Sequence, residues 1–165
     1  MNSDDRVSFD LPAVFVIPRV RLEPGELAYG YAHGWIDDAS VVDIATDLLA
    51  AGAPSAPLQE LACVFRAELW RVQRLVDEIE TEPGSEPERV WLYLALAWLH
   101  DHRREHADPL QLIEMLYADF GYPTEIETLV RYMPATPGAP TGVMALEERW
   151  TDYLRQKSSE YAMRR

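Results

Sequence analysis

The chain has 165 residues, with 28 Asp and Glu against 15 Lys and Arg, a formal charge of −13 and a single cysteine. A chain this long buries roughly two-thirds of the surface its unfolded form exposes, so one domain spanning 1–165 can fold without a disulfide or metal staple. The charge repels phosphate backbones and anionic lipid, which sets the expectation against nucleic-acid or membrane-surface binding, and the lone thiol, Cys63, points to a reducing compartment.

The opening Met-Asn-Ser-Asp-Asp lacks the basic start and apolar run of a secretory signal. The longest apolar run, Val90 to Leu99, is about half the roughly 20 residues needed to cross a bilayer. A cytoplasmic protein without a transmembrane segment is expected.

Residues 1–22 read as a lead-in with a short extended piece, Ala13 to Ile17, bracketed by Pro12 and Pro18, which deny it a ladder on both sides. Glu23-Pro24-Gly25-Glu26 reads as a helix start, with Leu27, Tyr31 and Trp35 as the buried face and Gly30 and Gly34 weakening the helix. Asp37 or Asp38 caps the next helix, whose stripe is Val41, Ile44, Ala45 and Leu48 and which Gly52 stops. Pro54 and Pro57 punctuate the connection. Leu61, Phe65, Leu69, Val72, Val76 and Ile79 step by four and three, the spacing of one amphipathic helix ended by Pro83-Gly84-Ser85. Pro87 opens a helix that is apolar nearly all round and belongs in the middle of a bundle. Asp108-Pro109 starts another, with Leu110, Ile113, Tyr117 and Phe120 inward and Gly121 at its close. Pro123-Thr124 opens a short helix carrying Ile126, Leu129, Val130 and Met133. A loop over 134–142 precedes the last helix, with Leu146, Trp150, Tyr153 and Leu154 inward and a basic tail ending at Arg165. The pattern predicts an all-α fold, a compact bundle or irregular stack of about seven helices.

Charge is uneven along the chain. Residues 1–60 carry ten acids and three bases, residues 61–120 twelve and six, and residues 121–165 six and six. An acidic docking surface therefore belongs to the first two-thirds. Asp77, Glu78, Glu80, Glu82, Glu86 and Glu88 fall between Arg74 and Arg89 with no base among them. Glu86 and Glu88 suit a helix N-terminus, whereas Asp77, Glu78 and Glu80 crowd a C-terminus, where the dipole disfavours them. The run reads either as a solvated turn or, since it accepts this cost, as charge used for recognition. A second acidic group, Asp37, Asp38, Asp43 and Asp47, lies near a helix start, with Asp43 and Asp47 on one face.

Three of the four histidines lie within His100 to His106. His102 to His106 matches His-x-x-Glu-His, in which two imidazoles one helical turn apart hold zinc and the glutamate serves as base. Arg103 and Arg104 oppose a dication there, and the bland reading is a solvated helix C-terminus whose cations complement the dipole. His100-Asp101 lacks the further histidine and aspartate of a phosphohydrolase dyad, His33 being the only histidine left. Cys63, beside an apolar stripe, reads as a small buried thiol. No catalytic residue, metal ligand set or cofactor is assigned.

Trp91 to Leu99, Asp108-Pro109-Leu110, Tyr117-Ala118-Asp119-Phe120-Gly121-Tyr122-Pro123 and Val130-Arg131-Tyr132-Met133-Pro134 together give the chain a family resemblance. It resembles a small bacterial family of uncharacterised all-helical proteins, a domain of unknown function with Tyr-Ala-Asp-Phe-x-Tyr-Pro and Arg-Tyr-Met-Pro motifs. Glu26 to Gly34 also fits, and the likeness runs from about residue 10 to about residue 155. The resemblance implies relatives in toxin and immunity neighbourhoods, and no activity. Read physically, the first turn is a helix-to-helix corner in which Asp119, Tyr122 and Arg131 hold a buried polar network, or, if exposed, an interface anchor.

The functional expectation is an acidic protein-binding domain, most specifically an immunity protein that neutralises a basic toxin such as a nuclease through Asp37, Asp38, Glu78, Glu80, Glu82 and Glu86. The alternatives are a metal-dependent hydrolase using His100, His102, Glu105 and His106, and an adaptor that self-associates through aromatic surface.

Overall fold

Local sequence sets most of the helix boundaries in the computed structural model, which describes residues 7–53 and 55–164. Pro54 and Arg165 lie outside the described residues. The elements are helical throughout: α1 (Ala13–Val16), α2 (Pro24–Ala32), α3 (Asp38–Ala50), α4 (Ala56–Ala62), α5 (Val72–Asp77), α6 (Pro87–Asp101), α7 (Pro109–Asp119) and α8 (Val143–Ala162). Short 3-10 segments occupy Arg66–Arg71, Arg103–Glu105 and Thr124–Leu129. None of the described helices is long and apolar enough to cross a membrane.

The chain divides into two compact units. The first comprises Phe9–Trp91 with residues 161–164. Its centre is α3, which packs against α1, α2, α4 and α5. Asp37 caps α3 by accepting from the Ser40 amide at 2.7 Å, and Val41, Ile44, Ala45 and Leu48 are buried. The Glu26 carboxylate takes the Glu23 amide at 2.8 Å to close the start of α2, a reciprocal capping box. At the far end of the chain Arg164 reaches the same carboxylate at 2.8 Å. Burial raises the Glu26 carboxyl above its usual range, against the pull of Arg164 and of the Glu23 amide.

Four sequence expectations change in this unit. Ala13 to Ile17 is not extended but makes the single turn α1, because the Pro12 carbonyl accepts from the Phe15 and Val16 amides. Pro12 at the N-cap lacks only a donor that the start of a helix leaves unpaired in any case, and Pro18 follows the C-cap Ile17. Trp35 lies beyond the end of α2, in the turn after it, stacked on Phe9 at 5.2 Å. The single amphipathic helix expected from Leu61 to Ile79 is broken into α4, a 3-10 segment and α5. No glycine or proline lies between Leu58 and Glu82 to mark the break. It falls where Phe65 turns extended, at φ −80° and ψ 159°, and hands its amide to Glu68. Val64, Val72, Leu75 and Val76 keep the core contacts, while Phe65 and Trp70 are 75% and 77% exposed. Cys63, read as buried, is exposed at the end of α4.

The second unit comprises residues 92–160 with Val7 and Ser8. Leu92 to Ala97 and Leu99 on α6 are buried, as the all-round apolar pattern predicts. Asp108 caps α7 by accepting from the Gln111 amide at 3.1 Å, and the segment Thr124–Leu129 packs on α7. Arg149 of α8 donates to the Thr128 carbonyl at 3.2 Å and to the Pro140 carbonyl, pinning the loop that precedes its helix.

Candidate functional site

In the first unit the acidic residues gather around α2. The Tyr31 hydroxyl donates to Asp38 at 2.7 Å. Burial, that hydrogen bond and the charges of Asp38 and Asp77 push the Tyr31 phenol up to about 12. The start of α3 and the end of α5 thus bear on one phenol. Farther along the same stretch Thr81 lies against Gly25, within ordinary van der Waals reach of a β-carbon there. A cleft of about 270 Å³ is lined by Glu23, Pro24, Gly25, Glu26, Glu80, Glu82 and Ser85. Glu88 contributes, after burial, to raising the Tyr29 phenol. Residues 77 to 88 therefore follow α2, with carboxylates at both of its ends.

The six residues expected to contact a partner occupy different local roles. Asp37 is committed to the α3 cap and Asp38 to Tyr31. Glu78 pairs with Arg74 at 3.0 Å and Glu86 with Arg89 at 3.0 Å. Such i, i+3 and i, i+4 pairs on an exposed surface are worth only about 0.3–0.5 kcal/mol and leave the acids available. Glu80 and Glu82 are exposed and face the cleft. Sequence reasoning missed Glu23 and Glu26 as their neighbours, since nothing local links residues so far apart.

Counted by unit, the charge excess is shared rather than concentrated. Among the described residues the first unit holds fifteen acids and seven bases, or −8, and the second eleven and six, or −5. What distinguishes the first is the run of acids along α2.

The expected buried network of Asp119, Tyr122 and Arg131 is not what the second unit builds. Arg131 is held instead by Glu114, at 2.7 and 3.2 Å, and by Asp108 at 3.0 Å. These two carboxylates raise the guanidinium pKa. The Gln111 amide and then Arg131 hold Asp108 below the usual carboxylate range. Asp119 accepts from the Val7 amide at 2.9 Å. Tyr122 is 63% exposed. The reason is geometric: α7 carries Glu114 and its cap Asp108 toward Arg131, while Asp119 sits on the last turn and faces the N-terminal segment.

Gly121 and Tyr122 both adopt left-handed backbone, with φ of 75° and 61°. For glycine this is free, whereas for tyrosine it costs about 1–2 kcal/mol. The Tyr122 amide donates to the Tyr117 carbonyl at 2.8 Å, and its ring meets that of Tyr117 at 83° with centroids 5.2 Å apart.

The histidine-rich stretch does not form one helical face. α6 ends at Asp101, and the 3-10 turn Arg103–Glu105 separates His102 from His106. His102 stacks on Trp98 at 3.9 Å, and His100 stands edge-on to Trp150 at 4.9 Å. Burial and then Arg103 lower the His100 pKa. Arg103 donates to the His100 carbonyl, capping the C-terminus of α6 as the dipole reading expects. Among the described residues no three His, Cys, Asp or Glu side chains gather as a metal site.

The described residues thus define an all-α protein with exposed, charge-rich surfaces. The chain belongs to the family described as uncharacterized protein conserved in bacteria (DUF2247), whose profile matches residues 13–158. Neither a curated protein nor a solved structure matches it significantly.

Proposed function

We propose that this protein is a cytoplasmic, acidic protein-binding domain of the immunity type, which neutralises a basic toxin such as a nuclease. The observation that carries the reading is the gathering of acids along α2, with Asp38 and Asp77 both acting on Tyr31 and with Glu80 and Glu82 facing the cleft at its other end. A basic substrate-binding face meeting this surface is steered to it from a distance and then occluded. Asp37, Asp38, Glu78, Glu80, Glu82 and Glu86 are the contact residues, with Glu80 and Glu82 central.

The test is co-expression with the product of the gene immediately upstream. Growth arrest by that product alone, rescue by this protein and a complex that weakens as salt rises are the expected results. An upstream product without toxicity and without a complex at low salt overturns the proposal.

A further inference from the structure

We propose that Tyr117, Tyr122 and Tyr132 form an aromatic corner that receives the guanidinium of an arginine side chain presented by a protein partner. This surface lies in the second unit and rests on none of the residues assigned to the acidic surface along α2. Tyr117 is the buried floor. Tyr122 meets it nearly at a right angle with centroids 5.2 Å apart, and Tyr132 is inclined by 57° at 6.4 Å. Tyr122 and Tyr132 are 63% and 60% exposed, so both rings are open to a ligand.

A cation binds an aromatic face within about 6 Å of the ring centroid, and the exposed Tyr122 and Tyr132 rings supply such faces beside the buried Tyr117. Charge favours the same ligand. Asp108 and Glu114 outnumber Arg131 by two to one, which leaves the neighbourhood of Tyr132 negative. Local desolvation, the two other tyrosines and Glu114 raise the Tyr132 phenol above its ordinary value. Arg131 is fastened by both carboxylates and does not serve as the occupant. A planar guanidinium stacks on such rings better than the compact ammonium of lysine does. The left-handed backbone at Tyr122 displays an aromatic ring where glycine fits more easily, the kind of local strain that accompanies function.

The probe is the peptide acetyl-Gly-Arg-Gly-amide, with its citrulline counterpart as the neutral isostere, titrated into the full chain while the tyrosine ring signals are followed by NMR. Saturable shifts of the Tyr122 and Tyr132 rings are expected with the arginine peptide, with binding about threefold or more weaker for citrulline. Tyr122→Leu and Tyr132→Leu keep apolar bulk without a π face and are each expected to weaken the response. Their exposed positions leave the folded NMR spectrum as the control. Absence of a saturable shift overturns the proposal, as does equal binding of the citrulline peptide. Ring shifts that follow protein concentration without peptide also overturn it, because they make a second copy of the chain the occupant.

Discussion

Tyr31 joins two acidic groups that are far apart in sequence, and it reports on them by titration. Its phenol is pushed from the ordinary value of 10.0 to about 12 by burial, by the bond to Asp38 and by the nearby charges. A folded-state pKa above the unfolded one contributes stability that is intact below pH 10.0 and disappears as pH rises through about 12. Removing the hydroxyl in Tyr31→Phe is therefore expected to flatten the fall in stability between those two values. The measurement is urea unfolding as a function of pH, and an unchanged alkaline slope places the titration elsewhere. The neighbouring Tyr29, whose pKa is also raised, retains its own share of that slope.

At the scale of the element, α2 is fixed by close approach rather than by helix propensity. A β-carbon added at Gly30 falls inside the indole of Trp91. Gly30→Ala in a helix interior gains up to about 1 kcal/mol of propensity. Overpacking costs typically about 1–3 kcal/mol and occasionally more. The cost wins here because the ring cannot move aside: Trp91 is fully buried and its Nε1 donates to the Glu26 carbonyl at 2.8 Å. Gly30→Ala is expected to lower Tm by roughly 2–4 °C for each kcal/mol lost. A scanning-calorimetry Tm equal to or above that of the parent contradicts this packing.

For the molecule as a whole, the quantity that matters is how the acids are placed rather than how many there are. Long-range attraction between an acidic surface and a basic partner raises the association rate and is screened over about 8–10 Å at physiological salt. Glu80→Lys with Glu82→Lys alters the cleft without touching a helix cap. The double variant is expected to associate several-fold more slowly with the basic partner, with a flatter salt dependence. Stopped-flow association across an ionic-strength series measures this, and unchanged rates remove these residues from the contact surface. Asp37→Ala is a poorer probe, because loss of the α3 cap by itself costs about 1 kcal/mol.

The sequence by itself determined the helical class, the starts of α3, α6 and α7, and the buried stripe of α3. These depend on capping residues, prolines and a period of 3.6, all of which act within one or two turns. The break after Cys63 was not legible, because the stripe from Leu61 to Ile79 keeps helical spacing with no glycine or proline to interrupt it. Only burial decided that Phe65 and Leu69 would leave the core stripe. The partners of Arg131 were equally hidden: Glu114 and Asp108 lie 17 and 23 residues away, beyond any local signal. The gathering of acids along α2 likewise depends on how helices separated in sequence pack. Hydrogen bonds and charges act through space over a few ångströms, so tertiary structure alone decided which of the 28 acids became neighbours.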